Sequence, residues 1–277
     1  MLYNQPMDVP AADHAPGKLL VVINQFDQRP LDDLLNLLDA LHRHNNDTGF
    51  DTCVVINQSL AGRKAGKLPN VDFLHYRENT GMNIGAWDYG WRCHPDYDYY
   101  LFLQDECTVL TRDWARRFLT RLEDRSVGLV GEAFNSKWDR PWSELQSKKA
   151  GSTLPGHFID GKPAERVAAY LDFMARHNID PTPGAGHVRA LVWALRGDTL
   201  KAIDGFPLGD NYGECIAAEI AVSKKVEALG LKVVQLSAEP FCCFSHAEWG
   251  KYAKKTAEAA RLPRWKGTLR RLLNVFR

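Results

Sequence analysis

Short runs that are apolar at every position alternate along this chain with stretches of helical period. Lys18-Leu-Leu-Val-Val-Ile-Asn24 has strand length and is rich in β-branched residues. A helical pattern opens at Pro30 and continues through Leu34, Leu35, Leu38 and Leu41. Thr52 to Asn57, Val71 to Tyr76, Tyr99 to Leu103 and Val127 to Gly131 read as further strands, with a helix from about Thr111 to Asp124 between the last two. Phe134 to Gly156 is polar with two tryptophans, Ala164 to Arg176 is helical, and Pro181 to Gly186 is a loop. Leu191 to Leu195 restores a strand, Cys215 to Leu229 a helix, and Lys232 to Leu236 a last strand.

Strands apolar on both faces and separated by helices imply an α/β fold, a mainly parallel sheet covered on both sides. In such a sheet ligands bind beyond the carboxyl ends of the strands. Asn24, Asn57 and Gln104-Asp105-Glu106 end three of these runs, so they are expected at one ligand-binding edge.

Composition narrows the class. The 277 residues, 45% hydrophobic and 25% charged, suffice for one large domain with a cleft. We read residues 1–17 as a loose tail without the character of a secretory signal, 18–249 as the domain, 134–187 as an insertion near its acceptor side, and 250–277 as a basic segment. No apolar run approaches the roughly 20 residues that span a bilayer. Six cysteines without paired metal spacing fit reduced, packed thiols and a cytoplasmic protein. The net charge of +1 is unevenly spread: Lys251 to Arg277 holds nine Lys or Arg against one acid, Glu258. The rest of the chain is net acidic, which argues against a nucleic-acid-binding body.

Four constellations carry candidate chemistry. The adjacent acids Asp105 and Glu106 need a compensating cation if buried, and a hard ion such as Mg2+ or Mn2+ provides one. The same residues would also serve as a solvated loop capping the next helix. The run Glu78-Asn-Thr-Gly-Met-Asn-Ile-Gly-Ala-Trp-Asp88 suits a loop whose backbone approaches a ligand and enters a helix N-terminus, or equally a tight turn capped by its asparagines. Glu219 shares a helical face with Cys215, Val222, Val226 and Leu229, which makes it either a general base with a raised pKa or an acid at the rim reaching water. His246 draws interest by its position beside the polar edge, although a lone histidine more often has a structural role.

Together these pieces resemble glycosyltransferase family 2 on the GT-A fold, from about Lys18 to Trp249. The motifs that bear the resemblance are Cys53-Val-Val-Ile-Asn-Gln-Ser59, the N-x-G loop Asn79-Thr-Gly81, the strand end Gln104-Asp105-Glu106, the turn Asp204-Gly205-Phe206, the helix pair Ala218-Glu219 and the late His246. Asn79 to Trp87 is similar to the loop of the rhamnan synthesis protein F branch. The resemblance implies an inverting transferase that moves a hexosyl or deoxyhexosyl group from a nucleotide-sugar donor to a glycan or lipid-linked glycan, as in bacterial surface polysaccharide or lipopolysaccharide synthesis. It implies that Asn24, Asn57, Asn79, Gly81, Asn83, Gln104 and Asp105 hold the donor, that Glu106 and His246 bind Mg2+ or Mn2+, and that Glu219 is the base. Four positions depart from the pattern, namely Gln104, Glu106, Asn83 and Ala218, so a metal-independent enzyme or a catalytically silent sugar-binding module stays open. A nucleotidyltransferase is less favoured, because Asn24-Gln-Phe-Asp-Gln-Arg29 lacks a glycine-rich phosphate loop.

On the acceptor side, Trp138, Trp142 and Trp249 are candidates to stack on sugar rings, or local packing anchors. Residues 263–277 place Trp265, Leu269, Leu272, Leu273 and Phe276 on one helical face opposite basic residues. That pattern fits peripheral attachment to an anionic membrane surface, or a terminal helix packed on the body.

Overall fold

A computed structural model of the protein describes residues 17–45, 48–60, 62, 65–149 and 153–246. The last residues of the expected domain, Trp249 among them, and the basic segment 250–277 lie outside these, as do residues 1–16 of the expected tail.

The chain begins with strand β1 (Leu19–Phe26), helix α1 (Asp32–Arg43), β2 (Phe50–Gln58), β3 (Phe73–Glu78) and α2 (Met82–Cys93). It continues with β4 (Tyr99–Gln104), β5 (Cys107–Val109), α3 (Trp114–Glu123) and β6 (Val127–Gly131). Then come α4 (Trp142–Lys149), β7 (Thr153–Ile159), β8 (Lys162–Glu165) and α5 (Arg166–Arg176). The last elements are β9 (Val192–Arg196), α6 (Gly197–Ala202), α7 (Tyr212–Ala228), β10 (Lys232–Gln235) and β11 (Phe244–His246).

Seven strands form the central sheet in the order β10-β6-β9-β4-β1-β2-β3. The expected mainly parallel sheet is present, with one exception at its centre: β9 runs antiparallel to both β4 and β6. The cause is topological. The segment after β6 leaves the sheet at the carboxyl edge and returns to that same edge, so β9 must run back against its neighbours. A parallel strand there would need a crossover to the opposite edge.

Both sheet faces are buried, as the unbroken apolar runs require. Val21, Ile23, Val54, Leu101 and Leu103 meet Leu34, Leu37, Leu38 and Leu41 of α1 and Phe118 of α3 on one face. Leu20, Val22, Val55 and Phe102 meet Trp87 and Trp91 of α2 and Ala218 and Val222 of α7 on the other. Each fully buried Leu or Ile contributes about 1.5–3 kcal/mol, so α1 with its four buried leucines is held by packing as much as by propensity.

The region 134–187 contains more structure than its polar composition suggests. α4 and the β7–β8 hairpin add to the expected helix α5, and Trp138, Trp142, Val167, Tyr170 and Phe173 share the core of α2 and α7. The hairpin turns at Asp160-Gly161, where both residues have positive φ, as a two-residue turn demands.

Helix α7 is buried on several sides rather than along one stripe. The sheet lies on one flank and α5 with β7 on another, while Leu229, expected on the apolar face, is 43% exposed at the helix end. Its N-terminus is capped by Asn211, whose side chain accepts the Glu214 N–H at 3.1 Å.

Candidate functional site

The carboxyl edge of β1, β2 and β4 assembles the polar residues that the sequence places at strand ends. Asn24 is in register with Gln104 across β1 and β4, and Asn57 with Arg77 across β2 and β3. The loop after β1 is tied to the end of β2, because Asp27 accepts the Ser59 N–H at 3.0 Å and the Ser59 hydroxyl at 3.1 Å. Beside this tie, Gln25, Asp27, Arg29, Pro30, Leu31, Ile56 and Ala65 line a cleft of about 270 Å³.

Among the described residues, three buried oxygens at this edge accept no hydrogen bond: Asn24 Oδ1, Gln25 Oε1 and Asp105 Oδ2. An orphaned buried acceptor costs about 1–3 kcal/mol. Their concentration on adjacent central strands marks an edge built to receive donors or a cation.

Asp105 is buried and Glu106 is half-buried. The cation beside them is Arg29, whose guanidinium pairs with Glu106 and lies 3.6 Å from Asp105 Oδ1. Burial pushes the Asp105 carboxyl up to about 6, and Arg29 draws it partly back. Arg29 was not singled out in the sequence, since nothing local couples it to a strand end some 75 residues later.

His246 reaches this edge through a ladder that the sequence did not reveal. β11 pairs with the short β5 directly after Glu106, in register His246 to Cys107. The segment before it is fastened by the buried Glu132, whose carboxylate accepts backbone N–H groups of Cys242, Cys243 and Phe244, each at 2.9 Å. Burial raises the Glu132 pKa to about 8 against those bonds. The His246 imidazole Nε2 then lies 3.0 Å from Gln104 Oε1 and 3.6 Å from Glu106 Oε2.

The backbone of one residue joins the candidates. The Ala190 carbonyl accepts from Gln104 Nε2 at 2.6 Å and from Asn83 Nδ2 at 2.8 Å. The Ala190 N–H donates to Glu219 Oε2 at 3.1 Å. Asn83, Gln104 and Glu219 are thus held together, with His246 attached through Gln104.

The loop before α2 closes tightly. Gly81 takes φ +70 at the helix N-terminus, and a Cβ on Gly85 would run into the Thr80 carbonyl oxygen. Asn79 is exposed on this loop. Asn57 is engaged by protein through both ends of its amide, donating to Met82 O at 2.8 Å and accepting from Arg77 Nη1 at 2.9 Å. It fixes the loop to the strand end. The turn Asp204-Gly205-Phe206 is anchored by Asp88, which accepts the Phe206 N–H at 2.8 Å and the Arg92 Nε–H at 2.8 Å.

Of the two expected roles for the tryptophans, sugar platform and packing anchor, Trp138 and Trp142 take the second. Trp138 and Trp142 are only 8% and 9% exposed. Trp138 packs 5.3 Å from the Tyr170 ring, and Trp142 donates its indole N–H to Pro181 O at 2.6 Å. Both rings serve as packing anchors and offer little face to a sugar, because α5 and the 181–186 loop cover them. Trp249 is outside the described residues.

No protein-family model matches the chain, and no curated protein matches it in sequence. Solved structures do. The chain is similar to the mannosyltransferase PcManGT from Pyrobaculum calidifontis in complex with GDP-Man and Mn2+, with TM-score 0.51 and 14% identity over 94% of this chain and 69% of that one. It is also similar to the bifunctional glycosyltransferase WbbM, with TM-score 0.43 and 14% identity over 94% of this chain and 45% of that one. A third likeness is to the catalytic domain of Drosophila β1,4-galactosyltransferase 7 with xylobiose, with TM-score 0.42 and 12% identity over 91% of this chain and 83% of that one. At such identities the first likeness speaks for architecture: this chain has a GT-A-like, Rossmann-type fold, its mostly parallel seven-stranded sheet flanked by helices.

Proposed function

We propose that this chain is an inverting glycosyltransferase that moves a hexosyl or deoxyhexosyl group from a nucleotide-sugar donor to a glycan or lipid-linked glycan. The observation that bears most weight is the Ala190 backbone, whose N–H is held by Glu219 and whose carbonyl is held by Gln104 and Asn83. It sets a carboxylate at a fixed distance from the edge proposed to hold the donor diphosphate.

In this reading Glu219 takes the proton of the acceptor hydroxyl as its oxygen attacks the anomeric carbon. The bond to the diphosphate oxygen breaks in the same displacement, which inverts the sugar and releases the nucleoside diphosphate. The 25–65 cleft is the proposed base pocket, and the Gly81–Gly85 loop meets the phosphates. Glu106 and His246, beside the orphaned Asp105 Oδ2, fit a divalent cation of the Mg2+ or Mn2+ kind. When bound, such an ion neutralises charge on the departing diphosphate. Arg29 holds the acids in its place otherwise and would swing toward the phosphates.

A role in surface polysaccharide synthesis at the inner face of the membrane belongs to the same proposal. Among the described residues no helix is long and apolar enough to cross a membrane. The expected contact with anionic lipid falls on residues 263–277, outside the described part.

Incubation with UDP-, dTDP- and GDP-sugars in Mn2+ tests the reading. Transfer or donor hydrolysis should appear with one donor and vanish in Glu219→Gln and Glu106→Ala. Donor binding without turnover across the panel would sink the enzyme reading and leave a sugar-nucleotide-binding module, which the Arg29 ion pairs favour as second choice.

A further inference from the structure

Three side chains with no part in the proposed transfer converge on the face of the sheet covered by α2. Cys53 lies early in β2, His75 in the middle of the edge strand β3, and His94 follows the last residue of α2. One ligand atom from each, the thiol sulfur and an imidazole nitrogen from either ring, all lie within 4.8 Å of one another. His75 Nε2 and His94 Nε2 are 2.8 Å apart. Cys53 is fully buried, whereas both histidines are half-buried, so the cluster has a closed floor and an open side. Gly90 makes the approach possible, because a Cβ there would press on Val22 of β1 at 2.6 Å and Val55 of β2 at 3.2 Å and hold α2 off both strands.

We infer that Cys53, His75 and His94 form a metal site for a zinc-class ion, with a fourth position on the open side. One thiolate and two imidazoles are a borderline-soft donor set, suited to tetrahedral Zn2+ and ill suited to the hard oxygen-seeking ions proposed at Glu106. Bonds of about 2.0–2.1 Å to nitrogen in a tetrahedron separate the two nitrogens by roughly 3.3 Å. The 2.8 Å pair therefore opens by about half an ångström on binding, within the reach of side-chain rotation. Binding replaces the thiol proton of Cys53, which leaves to solvent, with a metal–sulfur bond.

The site is separate from the donor edge and lies back along the same strands. Along β2, Cys53 lies four residues before Asn57, about 13 Å, and His75 stands two residues before Arg77, the partner of Asn57. An ion there would clamp the edge strand, its neighbour and the end of α2, three successive elements of the chain. Its role is structural, and it does not depend on the transferase reading.

Co2+ is the probe. Untagged full-length protein, stripped with chelator and titrated with Co2+ in excess Mg2+ to fill the Glu106 site, should develop tetrahedral visible bands and a thiolate charge-transfer band that saturate at one Co2+ per chain. Zn2+ should displace it and raise the melting temperature. The charge-transfer band should be lost in Cys53→Ser and in His75→Gln with His94→Gln, and kept in Cys242→Ser with Cys243→Ser. That last pair matters because Glu132, Cys242 and Cys243 make the other ligand cluster among the described residues. Should Cys53→Ser fail to fold, the half-buried histidine pair decides. Absence of the band, its survival without the histidines, or its loss in the Cys242 and Cys243 variant overturns the assignment.

Discussion

His246 Nε2 stands 3.0 Å from Gln104 Oε1, although 142 positions separate the two residues in the chain. The amide orientation follows from its other bond: Gln104 Nε2 donates to Ala190 O, so Oε1 faces the imidazole and accepts. This network assigns the proton to His246 Nε2. A histidine in that tautomer donates to Gln104 and has no Nε2 lone pair for a cation.

Gln104 is therefore a competitor for His246. Gln104→Leu, of similar volume, should cost about 1–2 kcal/mol in urea unfolding through two lost hydrogen bonds. It should also tighten Mn2+ binding, measured by calorimetry, because His246 Nε2 is released. Unchanged or weaker Mn2+ affinity would remove His246 from the cation site.

Arg29 competes for the same ion from the acid side. In metal-free buffer Arg29→Ala should lower stability by no more than about 1 kcal/mol, since the guanidinium side chain is 38% exposed and screened. The rise in melting temperature on adding Mn2+ should exceed that of the wild type. Equal rises in both proteins would mean that the guanidinium does not block the acids.

Asp105 makes a pH signature. Its pKa is raised to about 6 by burial, so the folded protein keeps a proton that the unfolded chain has lost. Stability from this group is therefore present below about pH 4 and falls as pH rises toward 6, then stays level. Asp105→Asn removes that slope. Relative to wild type in metal-free buffer, the variant should gain up to about 3 kcal/mol between pH 4 and 7. Parallel stability curves for the two proteins would show that Asp105 titrates normally.

The close turn before α2 gives a packing test. Gly85→Ala drives a methyl group into the Thr80 carbonyl oxygen, so the Asn79–Met82 loop must open. A loss of about 1–3 kcal/mol is expected. Weaker retention on an immobilised nucleoside diphosphate should accompany it if the loop meets phosphates. Full retention at reduced stability would confine the glycine to a folding role.

Sequence alone was sufficient for the strands at Leu19, Thr52, Tyr99 and Val127 and for the leucine face of α1, because an apolar run or a 3.6-residue period reports burial directly. It also placed Asn24, Asn57 and Gln104 at one edge, since parallel strands in an α/β sheet share their carboxyl ends. The β7–β8 hairpin that turns at Asp160-Gly161 was not anticipated, because its strands are short and lie beside a polar stretch without an apolar run.

What tertiary structure decided is direction and partnership. Apolar runs do not state which way a strand points, so the reversal of β9 depended on where the 134–191 segment re-enters the sheet. The three side chains on the Ala190 backbone come from α2, β4 and α7, and Arg29 meets Asp105 and Glu106 only because β1 and β4 are neighbours. Trp138 and Trp142 sit in polar sequence, yet α5 and the 181–186 loop bury them. Periodicity encodes how much of a residue is covered, whereas the identity of what covers it is settled by loop closure and packing across the whole chain.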